Sequence, residues 1–141
     1  MKESLGRLVA ILHRRNIAYL NTVLKPYQIT SGEVGIMRSL YQREDRSQEE
    51  LSLTLSIDKA AIARAVKSLE GKGYVRRIND ERDKRCNRLF LTDKAKRLQG
   101  EIEPLVDAWN DKSRSVIGDE EYAHLSATLH TLLQRIEEGT N

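Results

Sequence analysis

The chain has 141 residues, of which 39% are apolar, 5% aromatic and 32% charged, with a formal net charge of +3. That length suits one domain or two closely shared halves, and few aromatics among many charges favour a helical chain with a thin core. No apolar run nears the roughly 18–20 residues of a membrane span, the first residues carry no signal-peptide pattern, and the lone cysteine, Cys86, cannot cross-link the chain to itself, so a reducing, cytoplasmic setting is expected.

Leu5, Leu8, Val9, Leu12, Ile17, Leu20, Val23 and Leu24 predict a first helix of about twenty residues with a wide apolar stripe. Pro26 ends it by biasing Lys25 away from helical dihedrals. Thr30 with Glu33 three residues later is a capping box, opening a second helix with Val34, Met37, Leu40 and Tyr41 inward. Residues 42–46 read as a polar link. Ser47 with Glu50 is a second capping box, in which the hydroxyl accepts a first-turn amide and the carboxylate reaches back to the cap's own N–H. Leu55-Ser56-Ile57 makes a turn, and Asp58 caps the next helix. There Ile62, Val66 and Leu69, spaced by four and three, share one side and leave Lys59, Ala60, Ala61, Arg64 and Lys67 on others. Gly73 supplies a left-handed stop.

Tyr74–Ile78 and Arg88–Thr92 then predict an antiparallel pair, joined by a loop too polar to bury. Asp93 is expected to cap a long helix through Leu98, Ile102, Leu105 and Trp109, bent near Gly100–Pro104 by the proline. After Gly118, a last amphipathic helix carries Tyr122, Leu125, Leu129, Leu132, Leu133 and Ile136.

The expected fold is therefore mainly α with a small β-hairpin wing, a winged helix-turn-helix flanked by long dimerisation helices. Residues 28–92 form the DNA-binding domain, and residues 1–27 and 93–141 the helical dimerisation region. The terminal helices carry more apolar surface than so small a centre covers, which predicts a twofold homodimer. Charge supports a double-stranded DNA partner: residues 101–141 hold nine acidic and three basic side chains, whereas residues 76–88 hold six basic and three acidic. Glycine-rich phosphate loops, zinc-ligand spacings and nucleophile motifs are absent, so neither an enzyme nor a cofactor is expected. His124 and His130 stand about 120° apart on a helix and His13 is alone, which disfavours a metal site.

The helix from Lys59 to Lys72 would lie in the major groove with Lys59, Ala60 and Ala61 toward base edges. Arg64 either bonds a guanine bidentately or holds a phosphate, while Lys67 and Lys72 suit phosphate. Ser47 and Gln48 could offer amides and a positive dipole end to the backbone, or Ser47 could be a cap alone. The tip gathers Arg82, Lys84 and Arg85, and one arginine is expected in a narrow minor groove.

Leu51–Lys59, Val66–Val75, Asp80–Arg85 and Leu89–Thr92 together resemble the MarR (multiple antibiotic resistance regulator) family, the Asp-x-Arg-Asp-x-Arg wing before Leu-Thr being the most specific part. The resemblance implies a homodimeric winged-helix repressor whose DNA affinity responds to a small aromatic or phenolic effector, or to oxidation. It favours Arg85 as the minor-groove residue, steadied by Asp83. It would place Tyr19, Tyr41 and Trp109 near a ligand, each alternatively being ordinary core. Cys86, at the base of the wing between Arg85 and Arg88, is either a redox switch or an inert strand residue. A winged-helix module that docks on protein instead of DNA is the remaining alternative.

Overall fold

The computed structural model describes residues 2–79, 81–82 and 87–139. Its helices are α1 (Leu5–Val23), α2 (Ser31–Gln42), α3 (Gln48–Leu55), α4 (Lys59–Gly71), α5 (Asp93–Ile117) and α6 (Asp119–Gly139), with a 3-10 turn at Lys25–Tyr27. Three short strands, β1 (Arg46–Ser47), β2 (Val75–Asn79) and β3 (Asn87–Leu91), form one antiparallel sheet in the order β1-β3-β2. Lys84, Arg85 and Cys86, with Asp80 and Asp83, lie outside the described residues.

Packing separates two compact units, Met1–Leu105 and Val106–Asn141. In the first, Leu24, Ile36, Met37, Leu51, Ile62, Val66, Leu69 and Leu89 are buried to 1% exposure or less. Burying such a side chain contributes about 1.5–3 kcal/mol, more than a helix cap's typical ~1 kcal/mol. Helix α4 is thus held mainly by its inner stripe, and its cap chiefly decides where it begins.

The caps are largely those the sequence predicts. Thr30 and Glu33 make both hydrogen bonds of a capping box on α2. Asp58 Oδ1 accepts the Ala61 N–H at 2.8 Å, and Gly73 stops α4 at φ +81°. Ser47 Oγ accepts the Glu50 N–H at 3.1 Å, but the reciprocal half of that box is not formed. The Glu50 carboxylate instead accepts from Arg88 at 3.1 Å and Arg43 at 3.3 Å. The reason is tertiary: Ser47 stands in β1 opposite Arg88, which brings the guanidinium to Glu50. The cap of α5 also differs, since Thr92 Oγ1 rather than Asp93 accepts from the Ala95 N–H, at 3.2 Å. The same hydroxyl donates to the Gly73 carbonyl at 2.6 Å, tying α5 to the end of α4.

Strand β1 was not expected from the polar run before it. Asp45 adopts φ +60°, turning the chain so that its N–H donates to the Leu89 carbonyl at 3.0 Å. Two residues are too few for alternation to announce a strand. Glu44 completes the edge, its Oε1 accepting the Leu91 N–H at 2.8 Å. The register pairs Val75 with Leu91 and Arg77 with Leu89, so the two long strands begin and end one residue away from the predicted spans.

The second unit holds the end of α5 and all of α6. Gly118 turns between them at φ +91°, and Arg114 lies 4.8 Å from the Tyr122 ring centroid. Helix α6 buries none of its described residues, and Leu125, Leu129, Leu132, Leu133 and Ile136 stand exposed. In the first unit Leu5, Leu8, Val9 and Leu12 of α1 are exposed likewise. Among the described residues, no helix is long and apolar enough to cross a membrane.

Candidate nucleic-acid interface

Helix α4 presents two opposed faces. At 100° per residue, Ile62, Val66 and Leu69 fall within about 60° of one another, and Ala60, Arg64, Lys67 and Gly71 within a similar arc on the opposite side. The inner three are buried and the outer four exposed. Ala61 lies between the arcs, half-buried, with its N–H given to Asp58, so of the three residues expected at the base edges it is the least presented. Lys59 is exposed at the first position of α4, in a loose 3.5 Å pair with Glu49 of α3.

The turn into α4 is closed by side chain and backbone together. Ser52 Oγ donates to the Ile57 carbonyl at 2.5 Å, and Ser56, at φ +53°, returns its N–H to α3. Ser47 is buried and its hydroxyl is engaged as the cap; Gln48 is half-buried at the first position of α3. Glu49 and Glu50 occupy the first turn of α3, offsetting the positive dipole end that would attract phosphate.

Ion pairing sorts the basic side chains of this region into two groups. Lys72 Nζ, expected on phosphate, here donates to both oxygens of buried Glu33, at 2.8 and 3.0 Å. Arg77 Nε donates to Glu70 at 2.6 Å. Arg88 donates to Asp45 Oδ1 at 2.9 Å, to Glu50 at 3.1 Å and to the Asp45 carbonyl at 2.5 Å. The hydrogen bond to Asp45 and the charge of Glu50 push the Arg88 pKa further up, and the guanidinium clamps β3, α3 and the Asp45 turn together. By contrast, Arg64 and Lys67 are exposed and make no hydrogen bond or ion pair among the described residues. Arg82, at the described part of the wing tip, is exposed, and Arg76 lies 5.1 Å from the Phe90 ring centroid on the outer face of β2 and β3.

Tyr19, Tyr41 and Trp109 are all half-buried. The Tyr19 hydroxyl donates to the Leu105 carbonyl at 2.7 Å, and that of Tyr41 to the Ala95 carbonyl at 2.5 Å, so both anchor earlier helices to α5. Burial, with Glu103 and Tyr74 nearby, pushes the Tyr41 pKa up to about 12. His13, His124 and His130 are exposed, and no group of three or more His, Cys, Asp or Glu among the described residues could hold a metal ion.

The paired cations were not separable by sequence. Glu33 and Lys72 are 39 positions apart, and Glu50 and Arg88 are 38 apart. Glu33 is legible as a cap, and that second role is enough to hide the first.

Comparison with known proteins gives a consistent result. The model of the MarR family matches residues 29–87. The crystal structure of a MarR transcriptional regulator from Methanosarcina mazei Go1 is similar at a TM-score of 0.88 and 32% identity, covering 97% of this chain and 99% of that one. The HTH-type transcriptional regulator BilQ of Clostridioides difficile (strain CD3) is 28% identical over 130 residues, 92% of this chain and 88% of that protein. A mutant of MarR from E. coli, complexed with operator DNA, is 27% identical with a TM-score of 0.83, covering 92% and 93% of the two chains.

Proposed function

The chain belongs to the MarR family of winged helix-turn-helix transcriptional regulators, and from that premise we propose that it acts as a homodimeric repressor on a pseudo-palindromic operator. The observation that carries this reading is the outer stripe of α4. Lys72, Arg77 and Arg88 are neutralised within the fold, whereas Arg64 and Lys67 have no partner among the described residues, beside small Ala60, on the face opposite the core. Desolvating a paired cation to reach phosphate would cost its existing partner; an exposed, unpaired one releases counterions and gains the contact outright. Ala60 keeps that face low enough to touch a thymine methyl.

In this reading residues 28–92 bind DNA, with Lys59, Ala60, Arg64 and Lys67 in the major groove, Gln48 near phosphate, and Arg82, Lys84 or Arg85 of the wing in the minor groove. Residues 1–27 and 93–141 form the dimer. The exposed leucines of α1 and α6 support that assignment, because a second copy would remove them from water. Two recognition helices would then stand about 34 Å apart, one turn of the duplex. Release by a small aromatic ligand contacting Tyr19, Tyr41 or Trp109 is the regulation we propose; such a ligand acts only by its differential affinity for the two states.

The test is the salt dependence of binding to duplex DNA. The expected result is affinity that falls linearly in log–log form as salt rises, with tighter binding to one selected sequence. A chain with negligible affinity for duplex DNA at any salt would instead support a protein-docking module.

A further inference from the structure

The far end of the recognition helix is fixed by a buried ion pair. Glu33, in the first turn of α2, is 3% exposed. Its carboxylate accepts from the Thr30 N–H at 3.0 Å and, on both oxygens, from Lys72 Nζ at 2.8 and 3.0 Å. Burial alone would raise the Glu33 pKa, but the hydrogen bonds from Lys72, Ser68 and Thr30 outweigh it and hold the carboxyl below its ordinary range. Both Ser68 and Lys72 belong to the end of α4, Lys72 being its C-cap. The Lys72 carbonyl in turn accepts from Lys94 Nζ of α5 at 2.8 Å.

We propose that Glu33 and Lys72 are positioning residues for DNA recognition: by locking the end of α4 to the start of α2, they set the angle at which Ala60, Arg64 and Lys67 meet the groove. This rests on α4 being the helix that reads DNA. A buried ion pair seldom adds stability over apolar residues of the same volume, but it is directional where apolar contacts are not. In helix α4, at about 1.5 Å per residue, Arg64 and Lys67 stand about 8 and 12 Å from its capped start, so a tilt of about 10° about that start would move their backbone by roughly 1–2 Å, and hydrogen bonds to base edges tolerate only a few tenths of an ångström.

The full-length parent is compared with Glu33→Gln/Lys72→Met, in which glutamine retains the cap of α2 and methionine fills the volume of the lysine stem. Two duplexes serve as probes: the tightest binder that the parent selects from a random pool, and a scramble of it. The double variant is expected to stay folded by circular dichroism and to lose about tenfold or more on the selected duplex, the worth of one base contact. Binding to the scramble and the slope against log salt should not change, and Lys72→Arg alone should retain most of the parent's preference. If the double variant does not fold, Glu33→Gln alone decides the matter, with the same pattern at smaller amplitude. A folded variant with undiminished preference overturns the proposal. So does equal loss on both duplexes with a shallower salt slope, which would mean that Lys72 touches phosphate. A parent without salt-dependent binding fails the reading of α4 itself, whereas a binding parent with an indifferent variant fails the positioning role alone.

Discussion

Replacing Arg64 by alanine asks what the outer stripe of α4 does on DNA. The side chain is exposed and unpaired among the described residues, and alanine is the better helix former, so stability should change by less than about 0.5 kcal/mol. Any loss of binding can then be assigned to the interface. A bidentate contact to guanine is worth about 1–3 kcal/mol; a homodimer loses two, so about 2–6 kcal/mol, or at least about 30-fold in affinity. A phosphate contact predicts otherwise: the slope of log affinity against log salt should fall by about 0.9 per contact, near 1.8 for the dimer. Fluorescence anisotropy with a selected duplex and its single-base-pair variants, between about 50 and 200 mM salt, separates the two. Loss confined to one step per half-site identifies base reading; uniform loss with a shallower slope identifies phosphate. Lys67→Ala is the internal reference and should give the shallower slope. If both variants bind every duplex as the parent does, with the same slope, this face of α4 does not meet DNA.

Arg85→Ala should weaken binding to duplexes with A·T-rich flanks more than to G·C-rich ones, and equal gel-shift titrations for mutant and parent would count against insertion in the minor groove. Leu129→Glu with Leu133→Glu should convert a sedimenting dimer into a monomer, since both leucines lie on the exposed face of α6; a parent already monomeric at micromolar concentration would remove the basis for twofold binding. The Tyr41 pKa, raised from 10.0 to about 12, makes its contribution to stability complete below pH 10 and lost as pH rises toward 12. Tyr41→Phe should flatten that alkaline decline in denaturant titrations, at about 0.5–1.5 kcal/mol of stability near neutral pH for the lost bond to Ala95. An unchanged decline would place the alkaline transition elsewhere.

Much of the DNA-binding lobe was legible because its signals are local. The Thr30–Glu33 box, the Asp58 cap, the four-three spacing of Ile62, Val66 and Leu69 and the stop at Gly73 each operate within a helical turn or two, where the chain's own geometry decides the contact. The outer stripe with Arg64 and Lys67 followed from the same periodicity. Strand β1 did not, because two residues show no alternation and their pairing depends on where β3 arrives.

Sequence alone determined which segments are helices, which face of α4 turns inward, and that positive charge gathers around the wing. Tertiary structure decided which of those charges remain available. Lys72 and Arg88 looked like any other cation in the region until folding brought Glu33, Asp45 and Glu50 against them. Periodicity is written in neighbours three and four residues apart, but an ion pair belongs to whichever carboxylate the packing of distant elements delivers, and that is settled only by the assembled core.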